Sequence, residues 1–155
     1  MIKQLPIHIP NGSKGAVRTQ FAALCYRVKG GKVQILLVTS RKTRRWIIPK
    51  GWPMDGKTPA ASAAQEAWEE AGVVGKPIDL CLGLYAYNKV LDADGGDVFP
   101  CIAMVYPVKV KRLEQKFPEA GQRKHRWVGR KRAAAMVSEP ELARILRDFD
   151  PRLLR

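Results

Sequence analysis

Residues Thr58 to Gly72, TPAASAAQEAWEEAG, admit few structures. Nothing between Ala60 and Ala71 breaks a helix. Thr58 has the side chain of an N-cap, and Pro59 suits the first helical position, where a missing N–H goes unused. Gly72 stands where a chain leaving a helix needs a left-handed residue. The pattern predicts a helix from about Pro59 to Ala71. Ala60, Ala63, Ala64, Ala67 and Ala71 recur at helical spacing and form a small-residue face that can lie close against a sheet. Glu66, Glu69 and Glu70 stand at i, i+3 and i+4 and share another face. Three carboxylates so placed repel one another unless a cation sits among them. A solvated acidic face is one reading of such a cluster. The chain as a whole argues for another: it carries 28 Lys and Arg against 14 Asp and Glu, a net charge of +14, yet its acids concentrate here. Hard divalent cations prefer carboxylate oxygens, and Mg²⁺ takes one or two carboxylates together with substrate phosphates. A metal on Glu66 and Glu70 would neutralise the cluster. The preceding loop, with Pro49, Gly51, Pro53 and Gly56, suits a tight connection that fixes the helix start.

From Gly51 to Val73 the residues resemble the signature of the Nudix hydrolases. That signature runs Gly, five residues, Glu, seven residues, then Arg-Glu-aliphatic-any-Glu-Glu-any-Gly-aliphatic. Gly51, Glu66, Ala67, Glu69, Glu70, Gly72 and Val73 fall in register. Lys57 stands where the first Glu is expected, and Gln65 where the Arg is expected. The flanking RWIIPKGWPM is similar to the subgroup near diphosphoinositol polyphosphate phosphohydrolases and diadenosine polyphosphate hydrolases. The resemblance implies an α/β fold, an α/β/α sandwich with a mixed β-sheet. It implies a pyrophosphohydrolase that uses Mg²⁺, with Mn²⁺ as the alternative, to cleave a phosphoanhydride bond in a nucleoside or inositol polyphosphate. Glu66 and Glu70 would hold the metal. Glu69 would position or deprotonate the attacking water and share a second ion. In the family the Arg helps to orient a catalytic Glu; Gln65 can do so only by neutral hydrogen bonds, which are weaker.

The net charge calls for an anionic partner. Arg41, Lys42, Arg44 and Arg45 form a dense basic run just before the acidic unit, either a solvated surface or the rim of a phosphate site. Arg offers phosphate a bidentate fork. Lys50, in the Pro-Lys-Gly turn with Gly51, lies nearer the helix, and Arg18 opens the first strand. Near the C-terminus Glu119 is the acid in a basic segment, a candidate for metal or water contact by resemblance. Arg123, Lys124 and Arg126 follow as phosphate contacts. His125, alone in that run, reads as surface, and Trp127 as core. The substrate-binding candidates are thus Lys50, Gly51, Arg18, Arg41, Arg45, Arg123 and Glu119. Two alternatives remain open. One is a degenerate Nudix-like domain that binds RNA or a polyphosphate without turnover, which Lys57 and Gln65 favour and the three intact glutamates oppose. The other is a nucleotide-pool pyrophosphatase, for which no base pocket is legible. No RNP-like aromatic strand or zinc spacing marks a nucleic-acid module.

At 155 residues the chain suits one domain, 16–155, behind an arm at 1–15. Val17 to Val28 and Val33 to Ser40 read as strands around the Gly30-Gly31 turn. Trp46 onward reads as a further strand. Beyond the helix Lys76-Pro77 reads as a break. Ile78 to Leu91 and Val98 to Val110 read as long strands joined by a turn at DADGGD. Asp92, Asp94 and Asp97 lack the later Glu of a calcium loop. Tyr85 and Tyr87 share a strand face. A short strand at His125 to Val128 precedes a helix at Arg130 to Val137 and another from Glu139-Pro140, packing through Leu142, Ile145 and Leu146. That order places a mixed sheet between helical layers. Cys25, Cys81 and Cys101 lie far apart in apolar runs and read as free thiols in a reducing cytoplasm. No run of about 18 apolar residues marks a membrane span, and the N-terminus has no apolar signal core.

Overall fold

The computed structural model describes residues 5–6, 18–90 and 98–154. The arm at 1–15 falls outside them but for Leu5 and Pro6, and so do the turn at DADGGD and its three aspartates. Among the described residues eight strands form one mixed sheet: β1 (Arg18–Lys29), β2 (Lys32–Thr39), β3 (Trp46–Ile47), β4 (Lys50–Gly51), β5 (Val73–Pro77), β6 (Gly83–Val90), β7 (Val98–Leu113) and β8 (His125–Gly129). The main order is β3-β2-β1-β7-β5, with β4 on β1, β6 on β7 and β8 on β2. β1 and β7 run parallel, with Arg18 opposite Cys101 and Tyr26 opposite Lys109. Every other pairing is antiparallel.

Among the described residues three α-helices cover the sheet: α1 (Pro59–Ala71), α2 (Arg130–Met136) and α3 (Pro140–Asp148). Each sheet face has its own core. On one face Ala60, Ala63, Ala67 and Ala71 of α1 pack on Phe21, Ala23, Cys25, Leu36 and Tyr106. On the other, Ala133, Leu142 and Leu146 of α2 and α3 pack on Leu24, Ile35, Leu37 and Val105. The strands therefore alternate between two buried faces, which is why β1 and β2 read as nearly continuous apolar runs. The layers are α/β/α, as the order of elements implied.

The ends of α1 fall where the residue types place them. The Thr58 hydroxyl accepts from the Ala61 N–H at 3.1 Å, Pro59 opens the helix, and Gly72 closes it at φ 70°. Two stretches differ from the sequence reading. The segment around Lys76-Pro77 is not a break: Val73–Pro77 is β5, paired with β7 and bulged between Val74 and Gly75. Pro77 is its last residue. The strand expected from Ile78 starts only at Gly83, and the N–H groups of Ile78 and Leu82 bond singly to Pro107 and Val105 carbonyls. Trp127, expected in the core, packs half-buried against the core on the α1 side and also carries the Arg27 guanidinium on its ring.

Cys25 and Cys101 have no exposed surface, and Cys81 is half-buried. Burial, with the Glu70 charge adding to it, pushes the Cys25 thiol far up. A native-state titration with a thiol reagent is expected to label at most one cysteine quickly, and all three after denaturation. Rapid labelling of two or more native thiols would contradict this packing.

Candidate active site

The acidic face of α1 meets the strands at β4. Gly51 lies so close to Glu66 that a Cβ there would stand 2.1 Å from the Glu66 carboxyl carbon. Only a glycine leaves that carboxyl its place. One turn on, Glu70 is buried, its side chain 5% exposed. The two carboxyls share a hydrogen bond. Burial, then the Glu70 charge, pushes Glu66 up to about 8. Burial pushes Glu70 up to about 6, while Arg123 and Lys50 pull it back. Glu69 is half-buried and accepts from Gln65 Nε2 at 3.1 Å, so the neutral residue at 65 does hold one of the glutamates.

The segment leading to β8 docks on the C-terminal end of α1. The Glu114 N–H donates to the Gly72 carbonyl at 2.8 Å, and the Glu119 N–H to the Glu69 carbonyl at 2.9 Å. Arg123, 8% exposed, reaches under the site. It donates to Glu119 Oε1 at 3.0 and 3.1 Å and to the Thr39 carbonyl at 3.1 Å, and its guanidinium lies 3.6 Å from Glu70. Its fork is thus given to the protein's own acceptors rather than projecting as the phosphate fork its sequence context suggested.

Beside Glu70 opens a cavity of about 260 Å³. One wall is the basic loop between β2 and β3. The Ser40 hydroxyl bonds the Thr43 hydroxyl at 2.6 Å and accepts from the Arg45 N–H at 3.0 Å. Arg41 donates to Gln122 at 3.3 Å and stands 3.9 Å from Glu119. Arg45 donates to Glu139 at 3.2 Å. Lys50 forms the floor, its ammonium 4.8 Å from the Tyr87 ring centre, and the Tyr87 hydroxyl bonds Gln20. Burial draws Lys50 down to about 8, against the raising pull of Glu70.

Of the candidates, Lys50, Arg41, Arg45, Arg123 and Glu70 line the cavity. Glu66 adjoins it through Glu70 and Glu119 through Arg123, while Gly51, against Glu66, and Glu69, against Glu119, stand one contact further back. Arg18 is not part of its wall; its guanidinium stands 5.9 Å from the Trp52 ring centre. Gln20, Asn88, Lys89 and Glu139 were not anticipated. Lys89 and Tyr87 alternate on β6 and so share a face, a period-two signal that was available. Gln20, polar within an apolar run, was another.

Among the described residues no three acidic, imidazole or thiol groups are already gathered as a ligand set. The donor chemistry nevertheless fits one hard divalent cation. The buried Glu70 carboxyl and the half-buried Glu66 carboxyl beside it are both held above their ordinary range, and Mg²⁺ needs no more than such a pair with phosphate and water.

The NUDIX domain model matches residues 18–149. Mitochondrial Nudix hydrolase 12 of Arabidopsis thaliana is 30% identical over 119 residues, 76% of this chain and 59% of its own length. Diphosphoinositol polyphosphate phosphohydrolase 3-alpha of Homo sapiens is 37% identical over 68 residues, 44% of this chain and 41% of that one. The chain thus spans about three-fifths of Nudix hydrolase 12, and less of the human protein. Among solved structures, a C. elegans Ap4A hydrolase covers 84% of this chain and 94% of its own, with a TM-score of 0.57 and 19% identity. The NUDIX domain of Shewanella oneidensis NrtR, complexed with ADP ribose, covers 90% of each chain at a TM-score of 0.61 and 16% identity. At such identities the structural likeness is one of fold.

Proposed function

The chain belongs to the Nudix family, and from that premise we propose that it is a Mg²⁺-dependent pyrophosphohydrolase. Its substrate on this reading is a nucleoside or inositol polyphosphate of the dinucleoside polyphosphate or diphosphoinositol type, cleaved at a phosphoanhydride bond. The observation that carries the reading is the place of Glu70. It belongs at once to the paired carboxyls of α1 and to the wall of a cavity rich in Arg and Lys. A polyphosphate held in the cavity would present its anhydride to those carboxyls. The human relative and the worm neighbour bear names of the two substrate types, inositol and dinucleotide. The free thiols suit a reducing cytoplasm as its setting.

Glu66 and Glu70 would hold the ion, which when bound supplies a Lewis acid for the phosphoryl oxygens and an acidified water. The chain's own residues do the rest. Lys50 and the loop cations Arg41 and Arg45 neutralise the phosphate tail. Glu69, fixed by Gln65, takes the proton of the attacking water. As the water oxygen bonds to phosphorus, the anhydride P–O bond breaks and its electron pair leaves with the departing phosphate. Gln122 and Glu119 steady Arg41, and Glu139 steadies Arg45.

The test is Mg²⁺-dependent release of phosphate or nucleotide from a panel: diadenosine polyphosphates, a diphosphoinositol phosphate, ADP-ribose, deoxynucleoside triphosphates and 5′-triphosphate RNA. Turnover of one class, abolished by a chelator, supports the proposal and names the substrate. Tight binding of one member without turnover of any would replace it with a ligand-sensing domain.

Lys50 gives a pH prediction. Its folded value near 8 lies below the ordinary lysine value of 10.5, so its charge is present below pH 8 and lost above it. A charge-assisted contact to phosphate is worth about tenfold in affinity. kcat/KM is expected to descend through about pH 8 by that factor, and Lys50→Arg, charged throughout, to hold the plateau past about pH 9. The same descending limb in Lys50→Arg would assign it to another group.

A further inference from the structure

The end of the sheet remote from the cavity carries charge that neither the fold nor the proposed reaction uses. β1 passes the cavity at Gln20 and ends at Lys29, on the order of 30 Å away along an extended strand. Lys29 stands directly opposite Lys32 across the first hairpin. Lys76 stands directly opposite Lys109 across β5 and β7. Like charges in such pairs oppose strand pairing. All four are exposed.

Next to the first pair lies a more specific feature. The Arg27 guanidinium sits 4.1 Å from the Trp127 ring centre, and its Nε donates to Gln34 Oε1 at 2.7 Å. Arg27 is paired with Gln34, Lys29 with Lys32, and Trp127 with Leu36, so by strand alternation all these side chains belong to the α1 face. A guanidinium seated on an indole and pinned at its Nε is a planar cation with one face already stacked. Arg planes and aromatic rings of this kind receive splayed nucleic-acid bases, while lysines receive the phosphates.

We infer that this corner, the Arg27–Trp127 stack with Lys29 and Lys32, binds single-stranded nucleic acid, one base lying on the Arg27 plane and neighbouring phosphates on the two lysines. A duplex keeps its bases stacked and offers none to the plane. An anionic membrane fits less well, because the exposed apolar residue at this strand end, Val28, alternates to the opposite face from Arg27 and Lys29. The site lies apart from the cavity and stands or falls independently of the hydrolase reading.

The test is fluorescence anisotropy with a labelled mixed-sequence RNA of about 12 nucleotides, within the site sizes of single-strand binders, each variant being checked for an unchanged melting profile. Wild type is expected to bind this RNA and to prefer it to the same sequence as a duplex. Lys29→Glu with Lys32→Glu should weaken binding more than tenfold and lower the slope of log K against log salt by about 1.4, two contacts at roughly 0.7 each. Arg27→Lys keeps the charge but loses the plane, and should weaken binding about tenfold. Hydrolysis of the small substrate should be unchanged in both. No RNA binding by wild type overturns the inference, and so does an Arg27→Lys variant that binds as tightly as wild type. Loss of binding in Arg41→Ala with the lysine variant unaffected would place the RNA in the cavity instead. Binding to phosphatidylserine vesicles without binding to RNA would make the corner a membrane contact.

Discussion

Glu70→Gln is expected to lower turnover by about a thousandfold while the chain stays folded, and Glu66→Gln to do nearly the same. Gln keeps the shape of the side chain and leaves an amide oxygen facing Arg123, whose guanidinium stands 3.6 Å from Glu70. What it loses is the negative charge shared between the α1 cluster and the cavity. Stability should not fall in step. Burial holds Glu70 at about 6 and Glu66 at about 8, so each carboxylate is disfavoured in the folded chain relative to its neutral form. Removing either charge relieves repulsion within the pair. The melting temperature of each variant without divalent cation is therefore expected to equal or exceed that of wild type. Initial rates at saturating substrate, set beside the melting curves, check both statements. Retained metal-dependent turnover in both variants would remove the pair from the chemistry. A collapse of the melting temperature would make it structural.

The part of this site that lies on α1 was legible because it is local. The Thr58 cap, the Gly72 exit and the i, i+3, i+4 glutamates are set within a few turns of one helix. The rest depends on contacts between distant segments. Gly51 was identifiable as part of the signature, yet its physical reason, the Glu66 carboxyl against it, exists only once β4 lies across α1. Arg123 looked like a phosphate fork in a basic run. The register of β8 on β2, with His125 opposite Val38, brings the preceding residues under Thr39, where Arg123 is buried among carboxylates. Glu139 was legible only as a helix start. In the fold it anchors Arg45 through Oε2, and its other carboxylate oxygen has no hydrogen-bond partner among the described residues. β5 escaped notice because Lys76-Pro77 has the composition of a break. Proline is tolerated there because it ends the strand, and the glycine before it takes up a bulge.

Gly72→Val is expected to destabilise the chain by about 4 kcal/mol and to impair the site in the molecules that remain folded. Three costs combine. A β-branched residue at φ 70° is strained by about 1–2 kcal/mol. A Cβ at this position would stand 2.4 Å from the Glu114 carbonyl oxygen and 2.6 Å from the Phe117 ring, and a backbone carbonyl cannot swing aside as a side chain can. Moving it would weaken the bond from the Glu114 N–H to the Gly72 carbonyl, a further 1 kcal/mol or so. That bond begins the dock of the segment that brings Glu119 against Glu69 and Arg123 against Glu70. The urea midpoint measures the first effect, and kcat at a temperature well below unfolding measures the second. Gly121→Val is the control. Its φ of 82° imposes the same backbone strain, but nothing lies within 4 Å of its Cβ position, so only about 1–2 kcal/mol should be lost. Equal losses at the two glycines would mean that strain alone accounts for Gly72 and that the docked segment yields freely. A larger loss at Gly72, with kcat reduced there and unchanged at Gly121, is the result expected if this glycine lets one segment assemble both the helix exit and the acidic site.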